Sequence, residues 1–127
     1  MVSIITCTMR NSFMPNVFKN YENQKVRKKE LIIILNQDDM DIEEWKKEAK
    51  KYNNAFVYQL PERYNLGKCL NFGIQAANYD IVAKFDDDNY YGRYYLTEAM
   101  DALKKIEEYP SWANIRRSFI SKKKKLS

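Results

Sequence analysis

Apolar and polar positions along this chain switch repeatedly between a period near two and a period near 3.6. Residues 2–7, Val-Ser-Ile-Ile-Thr-Cys, are apolar and β-branched and predict a buried strand. Arg10, Asn11 and Ser12 suit a loop and a helix cap, and Phe13, Val17, Phe18 and Tyr21 then recur at helical spacing, with Pro15 tolerable in a first turn. The basic cluster at 25–29 fits the C-terminus of that helix. Residues 31–35, Leu-Ile-Ile-Ile-Leu, form the unbroken apolar run of a parallel strand covered on both faces. Ile42, Trp45, Ala49 and Tyr52 make a second helical stripe, and residues 55–60 a third strand. A loop at 61–65 leads to a helix over 66–77 with Leu66, Leu70, Ile74 and Ala77 on one side. Residues 81–85 form a fourth strand, and residues 94–108 a last helix halted near Pro110. Strands alternating with helices predict an α/β protein: a Rossmann-like, mostly parallel sheet with flanking helices.

With 127 residues the chain forms one domain at most, and 45% hydrophobic residues exclude disorder. No apolar run approaches the roughly 18 residues of a membrane span, and the first residues lack the basic and long apolar segments of a signal peptide. A cytoplasmic protein is expected. Cys7 and Cys69 form no CxxC pair, and there is no histidine to join them around zinc, so they read as reduced, buried thiols. The net charge of +5 is unevenly placed: residues 1–110 hold 16 Lys and Arg against 17 Asp and Glu, whereas residues 111–127 hold six basic residues and no acid. The body is nearly neutral. The division expected is an α/β domain at 1–110 and a basic tail at 111–127.

In open parallel sheets ligands bind beyond the C-terminal strand ends. Three polar clusters fall there: residues 6–10 after the first strand, 36–41 after the second, and Asp86, Asp87 and Asp88 after the fourth. Three consecutive carboxylates repel one another, and hard oxygen ligands suit Mg2+ or Mn2+. If the extended conformation persists, strand parity puts Asp86 and Asp88 on one side. Lys84 shares the parity of Asp86, which leaves it either to offset local negative charge or to lie at a sheet edge. Tyr90, Tyr91, Tyr94 and Tyr95 read as packing rather than as sugar-stacking groups.

Two segments in succession carry a resemblance. Residues 66–77, Leu-Gly-Lys-Cys-Leu-Asn-Phe-Gly-Ile-Gln-Ala-Ala, and residues 81–89, Ile-Val-Ala-Lys-Phe-Asp-Asp-Asp-Asn, together with the strands at 2–6 and 30–35, resemble the inverting family-2 glycosyltransferases of the glycosyltransferase A fold. The resemblance covers about residues 2–100. It implies a nucleotide-diphosphate sugar, with UDP-sugars the family's habit, as ligand. Asp86 and Asp88 would be the DxD pair that holds the metal, with Asp86 and Asp87 beside the donor's ribose and diphosphate. Thr6, Cys7, Thr8 and Arg10 would flank the nucleotide. The position of the family's base-contacting aspartate reads Asn36 here, with Asp38 and Asp39 just beyond as the other candidates for its place. Lys68 and Asn71 would lie near the nucleotide and the DxD turn.

Inverting transfer needs a general base to deprotonate the acceptor. The family supplies it well after the DxD motif, and here no acid follows Glu108, so the catalytic residue is unknown and the expectation is a truncated domain lacking its acceptor half. A homo-oligomer or partner chain would then supply the missing wall. The alternative is a noncatalytic nucleotide-binding or protein-interaction module. Nucleic acid is not the expected partner, because the basic tail interleaves only Trp112 and Phe119.

Overall fold

The computed structural model describes residues 1–108 and 120–122. Strands β1 (Val2–Thr8), β2 (Lys29–Leu35), β3 (Ala55–Gln59) and β4 (Ile81–Lys84) run parallel, and a short β5 (Ile120–Lys122) pairs antiparallel with β4. The sheet order is β3-β2-β1-β4-β5. Helices α1 (Met14–Asn23), α2 (Ile42–Ala49), α3 (Leu66–Ala76) and α4 (Tyr95–Glu108) connect the strands, and a 3-10 turn at Asn11–Phe13 leads into α1. The mostly parallel α/β sheet expected from the sequence is therefore present. β5 falls in the segment read as a basic tail; the rest of that segment, with Trp112 and Phe119, lies outside the described residues, as does Pro110, where the last helix was expected to halt.

The sheet buries both faces, which is why β2 is apolar without alternation. On one face Val2, Ile4, Leu31, Ile33 and Leu35 pack with Phe18 of α1, Trp45 of α2 and Leu96 of α4. On the other, Ile5, Ile32, Ile34 and Val82 pack with Cys69 of α3. Fully burying one such aliphatic or aromatic side chain contributes about 1.5–3 kcal/mol, so this two-sided core dominates the fold's stability.

Two local features differ from the expected pattern. The buried line of α3 runs through Cys69 and Gly73 and on to Ala77 at the C-cap, while Leu66 is half exposed. Small residues face the sheet because the helix lies very close to it. The basic cluster 25–29 acts on α1 through a single member: that helix ends at Asn23, and Lys29, already in β2, reaches back so that its ammonium donates to the carbonyls of Tyr21, Glu22 and Gln24. Those carbonyls belong to the last turn and the C-cap of α1, where donors from within the helix run out. At the N-terminal edge of the sheet a buried carboxylate, Glu30, accepts from Ser3 Oγ at 2.5 Å, Asn78 N at 2.6 Å and Asn78 Nδ2 at 2.9 Å.

Candidate functional site

The strand order reverses beside β1: the chain moves outward through β2 and β3, then returns across the opposite face through α3 to place β4 on the other side of β1. Such a reversal opens a crevice at the C-terminal ends of the two strands. Thr8 ends β1 there, and the acidic turn follows β4. The two are joined directly, since Thr8 Oγ1 donates to Asp87 Oδ2 at 2.7 Å. Arg10 Nη2 donates to Asp87 Oδ1 at 3.2 Å and lies 3.7 Å from Asp88 Oδ2. Asn36, at the end of β2, is tied to β1 by its backbone N–H donating to Thr8 O at 2.9 Å.

A cleft of about 490 Å³ opens over these groups, lined by Cys7, Thr8, Arg10, Asn36 and Asp87 on one side and by Glu62, Tyr64, Asn65 and Leu66 on the other. The second wall is the loop between β3 and the start of α3. Asn36 Nδ2 holds that loop by donating to Pro61 O at 2.9 Å. Asp38 Oδ1 accepts from Glu62 N at 3.3 Å, so Asp38 braces the loop from outside the cleft lining. Asn65 caps α3, its side chain accepting from Lys68 N. Lys68 itself is exposed, with Nζ 5.0 Å above the ring of Tyr64. Asn71 is exposed further along α3 and is not among the lining residues. Thr6 is fully buried within the sheet, one pleat behind the lining.

The three aspartates do not act as a uniform set. The extended conformation stops at the end of β4 and a turn occupies Asp87 and Asp88, so Asp88 joins Asp87 on Arg10 instead of sharing a side with Asp86. Asp86 pairs with Lys84, Nζ to Oδ1 at 3.5 Å, as the shared parity allowed, and accepts from Asn89 Nδ2 at 3.1 Å. Asp87 is 7% exposed, whereas the side chain of Asp88 is 51% exposed. Among the described residues no three His, Cys, Asp or Glu side chains converge as a cage for a metal ion.

The turn is shaped by α1, a role the sequence reading missed. Asn16 Nδ2 donates to Asp87 O at 2.7 Å and Asn20 Nδ2 to Asn89 O at 2.7 Å, while Asn20 Oδ1 accepts from Tyr91 N at 3.0 Å. Gln24 continues the row: Nε2 donates to Gly92 O at 2.8 Å, and Oε1 accepts from Leu96 N at 3.0 Å. Asn16, Asn20 and Gln24 recur every four residues, so one polar line of α1 supplies the partners that an irregular backbone needs when it is buried. That four-residue spacing was the available signal. Tyr91 stacks on Phe85 with centroids 3.9 Å apart, and its Oη accepts from Asp86 N at 2.8 Å. Tyr91 and Tyr95 thus pack as expected, whereas Tyr90 and Tyr94 are exposed. Asn20→Ala removes both bonds of a buried amide and leaves the Tyr91 N–H without its acceptor, while Asn89 O keeps its bond from Asn16; a loss of about 1–3 kcal/mol is expected in urea unfolding. Stability unchanged within error would show that α1 does not shape the turn.

Both cysteines are free. Burial pushes the Cys7 thiol up to about 12, with Cys69 adding to the rise and Lys84 opposing it, so Cys7 presents a neutral thiol to the cleft at physiological pH.

This arrangement, an acidic turn at the switch point of a parallel sheet beside an open cleft, is that of a ligand-binding α/β fold, and the chain belongs to glycosyl transferase family 2, whose model matches residues 3–125. Among solved structures it is similar to S. aureus TarS 1–349, at 18% identity over 84% of this chain and 33% of that one, with a TM-score of 0.68. The same fragment in complex with UDP-GlcNAc aligns equally, with a TM-score of 0.68 and 18% identity, over 84% of this chain and 32% of that one. The mannosyltransferase PcManGT from Pyrobaculum calidifontis, in complex with GDP-Man and Mn2+, aligns with a TM-score of 0.66 at 18% identity, over 80% of this chain and 32% of that one. These likenesses establish a partial glycosyltransferase A fold; the chain spans about a third of the length of the structures it matches. No curated protein matches it. Among the described residues no helix is long and apolar enough to cross a membrane.

Proposed function

We propose that this chain provides the donor-binding half of a sugar transferase: a nucleoside diphosphate sugar enters the cleft between the end of β1 and the start of α3, with a divalent cation, Mg2+ or Mn2+, at the acidic turn. The reading rests above all on the 2.7 Å bond from Thr8 to Asp87, which joins the acidic turn to the floor of the cleft. It is supported by the family of the chain and by the ligands of the related structures, UDP-GlcNAc in one and GDP-Man with Mn2+ in another.

In this reading Asn36 and the Tyr64 ring meet the base, Cys7 and Thr8 the ribose, and Arg10 the diphosphate. The donor set suits a hard cation in one mode. Mg2+ characteristically takes one or two carboxylates and completes its shell with phosphate oxygens and water. Asp88, half exposed beside the cleft, offers such a carboxylate, with Asp86 on the same turn as the second candidate. Asp87 is committed to Thr8 and Arg10 and holds the turn in place. A bound cation would supply charge neutralisation of the diphosphate leaving group. Donor binding, rather than complete transfer, is the activity we assign to the residues present.

Titration calorimetry of UDP and GDP with and without Mn2+ tests the reading. Wild type is expected to bind one of them in a Mn2+-dependent manner, and Asp88→Ala to bind about tenfold or more weakly, the equivalent of one lost charge-assisted contact. A folded wild type that binds neither nucleotide would sink the proposal and leave a noncatalytic assembly module as the better account.

A further inference from the structure

We infer that Arg10 is the resident counter-cation of the acidic turn, and that a divalent cation reaches Asp88 only as Arg10 transfers its pairing to the diphosphate of an incoming nucleotide. This rests on the donor-site reading and assigns to one side chain the coupling between the site's two ligands.

One nitrogen of Arg10 spans both carboxylates, 3.2 Å from Asp87 and 3.7 Å from Asp88. The two attachments are unequal. Asp87 is buried and keeps its 2.7 Å bond from Thr8, so it stays anchored when the arginine leaves. Asp88 is 51% exposed and open to exchange of partners. Arg10 is itself 55% exposed and lines the cleft, so its guanidinium can swing at the cost of little more than its contact with the Phe13 ring, 4.4 Å away. The root of its loop is fixed: Trp45 Nε1 donates to Asn11 Oδ1 at 2.8 Å, and Arg10 N donates to Thr8 Oγ1 at 3.2 Å. The swing is therefore confined to the side chain.

A guanidinium held against Asp88 both occupies the carboxylate and repels a dication. Its planar fork matches phosphate oxygens, which the cleft would bring within its reach. Metal alone is thus opposed by Arg10, and metal arriving with a diphosphate is not. By linkage each ligand then tightens the other by the same factor.

The test is Mn2+ binding followed by the electron paramagnetic resonance signal of the free aqueous ion, without and then with UDP, on wild type, Arg10→Gln and Arg10→Gln/Asp88→Asn. Arg10→Gln is expected to bind Mn2+ alone about three- to tenfold more tightly than wild type, the scale of removing one partly exposed charge. The mutual tightening of Mn2+ and UDP should shrink by the same factor, and adding Asp88→Asn should remove the gain. Mn2+ affinity unchanged or lowered in Arg10→Gln, including binding too weak to detect in both proteins, overturns the inference. Failure of UDP to bind wild type would instead count against the donor-site reading, while the Mn2+-only comparison still decides whether Arg10 guards Asp88.

Discussion

Gly73→Val is expected to destabilise the protein by about 3 kcal/mol or more, the upper range for forcing bulk into a packed interface. Gly73 faces the sheet from the middle of α3, and a Cβ added there would lie 2.6 Å from Ile5 Cγ2 and 3.1 Å from Ile34 Cδ1. Both isoleucines are buried and β-branched, so neither rotates away cheaply. The helix must move outward, opening the contacts of Cys69 and Ala77 with the sheet. Because the start of the same helix walls the cleft through Asn65 and Leu66, nucleotide binding should weaken in the fraction that still folds. Gly67→Ala is the matched control. Its Cβ would meet only Asn65 Oδ1, at 3.4 Å, and an alanine in a helix gains up to about 1 kcal/mol over glycine. Urea midpoints should therefore move in opposite directions for the two variants. Equal midpoints would mean that α3 does not need close approach at Gly73.

These two glycines mark a boundary of what the sequence conveys. The existence and order of the elements from β1 to α4 were legible, because an unbroken apolar run such as 31–35 and a stripe such as Phe13, Val17, Phe18 and Tyr21 each fit one kind of structure, whereas β5 lay in what read as a basic tail. The rotation of α3 was not. The line expected from hydrophobicity ran through Leu66, Leu70, Ile74 and Ala77, whereas the buried line runs through Cys69, Gly73 and Ala77 and shares only the last. The second faces the sheet at a close approach, with Gly73 against Ile5 and Ile34, while Leu70 and Ile74 pack partly buried beside it. At the site, the parallel topology gathered Thr8, Arg10, Asn36 and Asp87 from distant positions around one cleft, as strand-end clustering implies. The partition among the aspartates was hidden, since it depends on a turn at Asp87 and Asp88 that α1 holds through Asn16 and Asn20. Tyr64 and Glu62, which complete the opposite wall, sat in what read only as a connecting loop; an aromatic just ahead of a helix cap at a strand's C-terminal end was the usable sign.

Glu30→Ala should be the other most damaging change, and its effect should be confined to stability. A glutamate inside an apolar strand reads as a surface position, yet Glu30 is 2% exposed. Its register partner on β1 is Ser3, also fully buried, and the hydroxyl of Ser3 donates to it. The backbone N–H of Asn78 donates to the same oxygen, while the Asn78 side chain takes the other. One carboxylate thus ties β1, β2 and the segment between α3 and β4 together at the end of the sheet remote from the cleft. Alanine leaves the Ser3 hydroxyl and the Asn78 N–H without their acceptor and opens a cavity, for an expected loss of about 3–5 kcal/mol. On a domain whose total stability is of order 5–15 kcal/mol, that is a large fraction. Glu30→Gln should recover part of it: one amide oxygen can still accept from Ser3 and from Asn78 N, and the amide nitrogen can donate to Asn78 Oδ1 if that side chain turns over. The charge-assisted share, about 1–2 kcal/mol, would remain lost. Urea unfolding of both variants, with nucleotide titration under native conditions, separates scaffold from site. Alanine much worse than glutamine, with nucleotide affinity unchanged in both, is the expected pattern. Equal losses would show that the acceptor oxygens of Glu30 do not hold this end of the sheet.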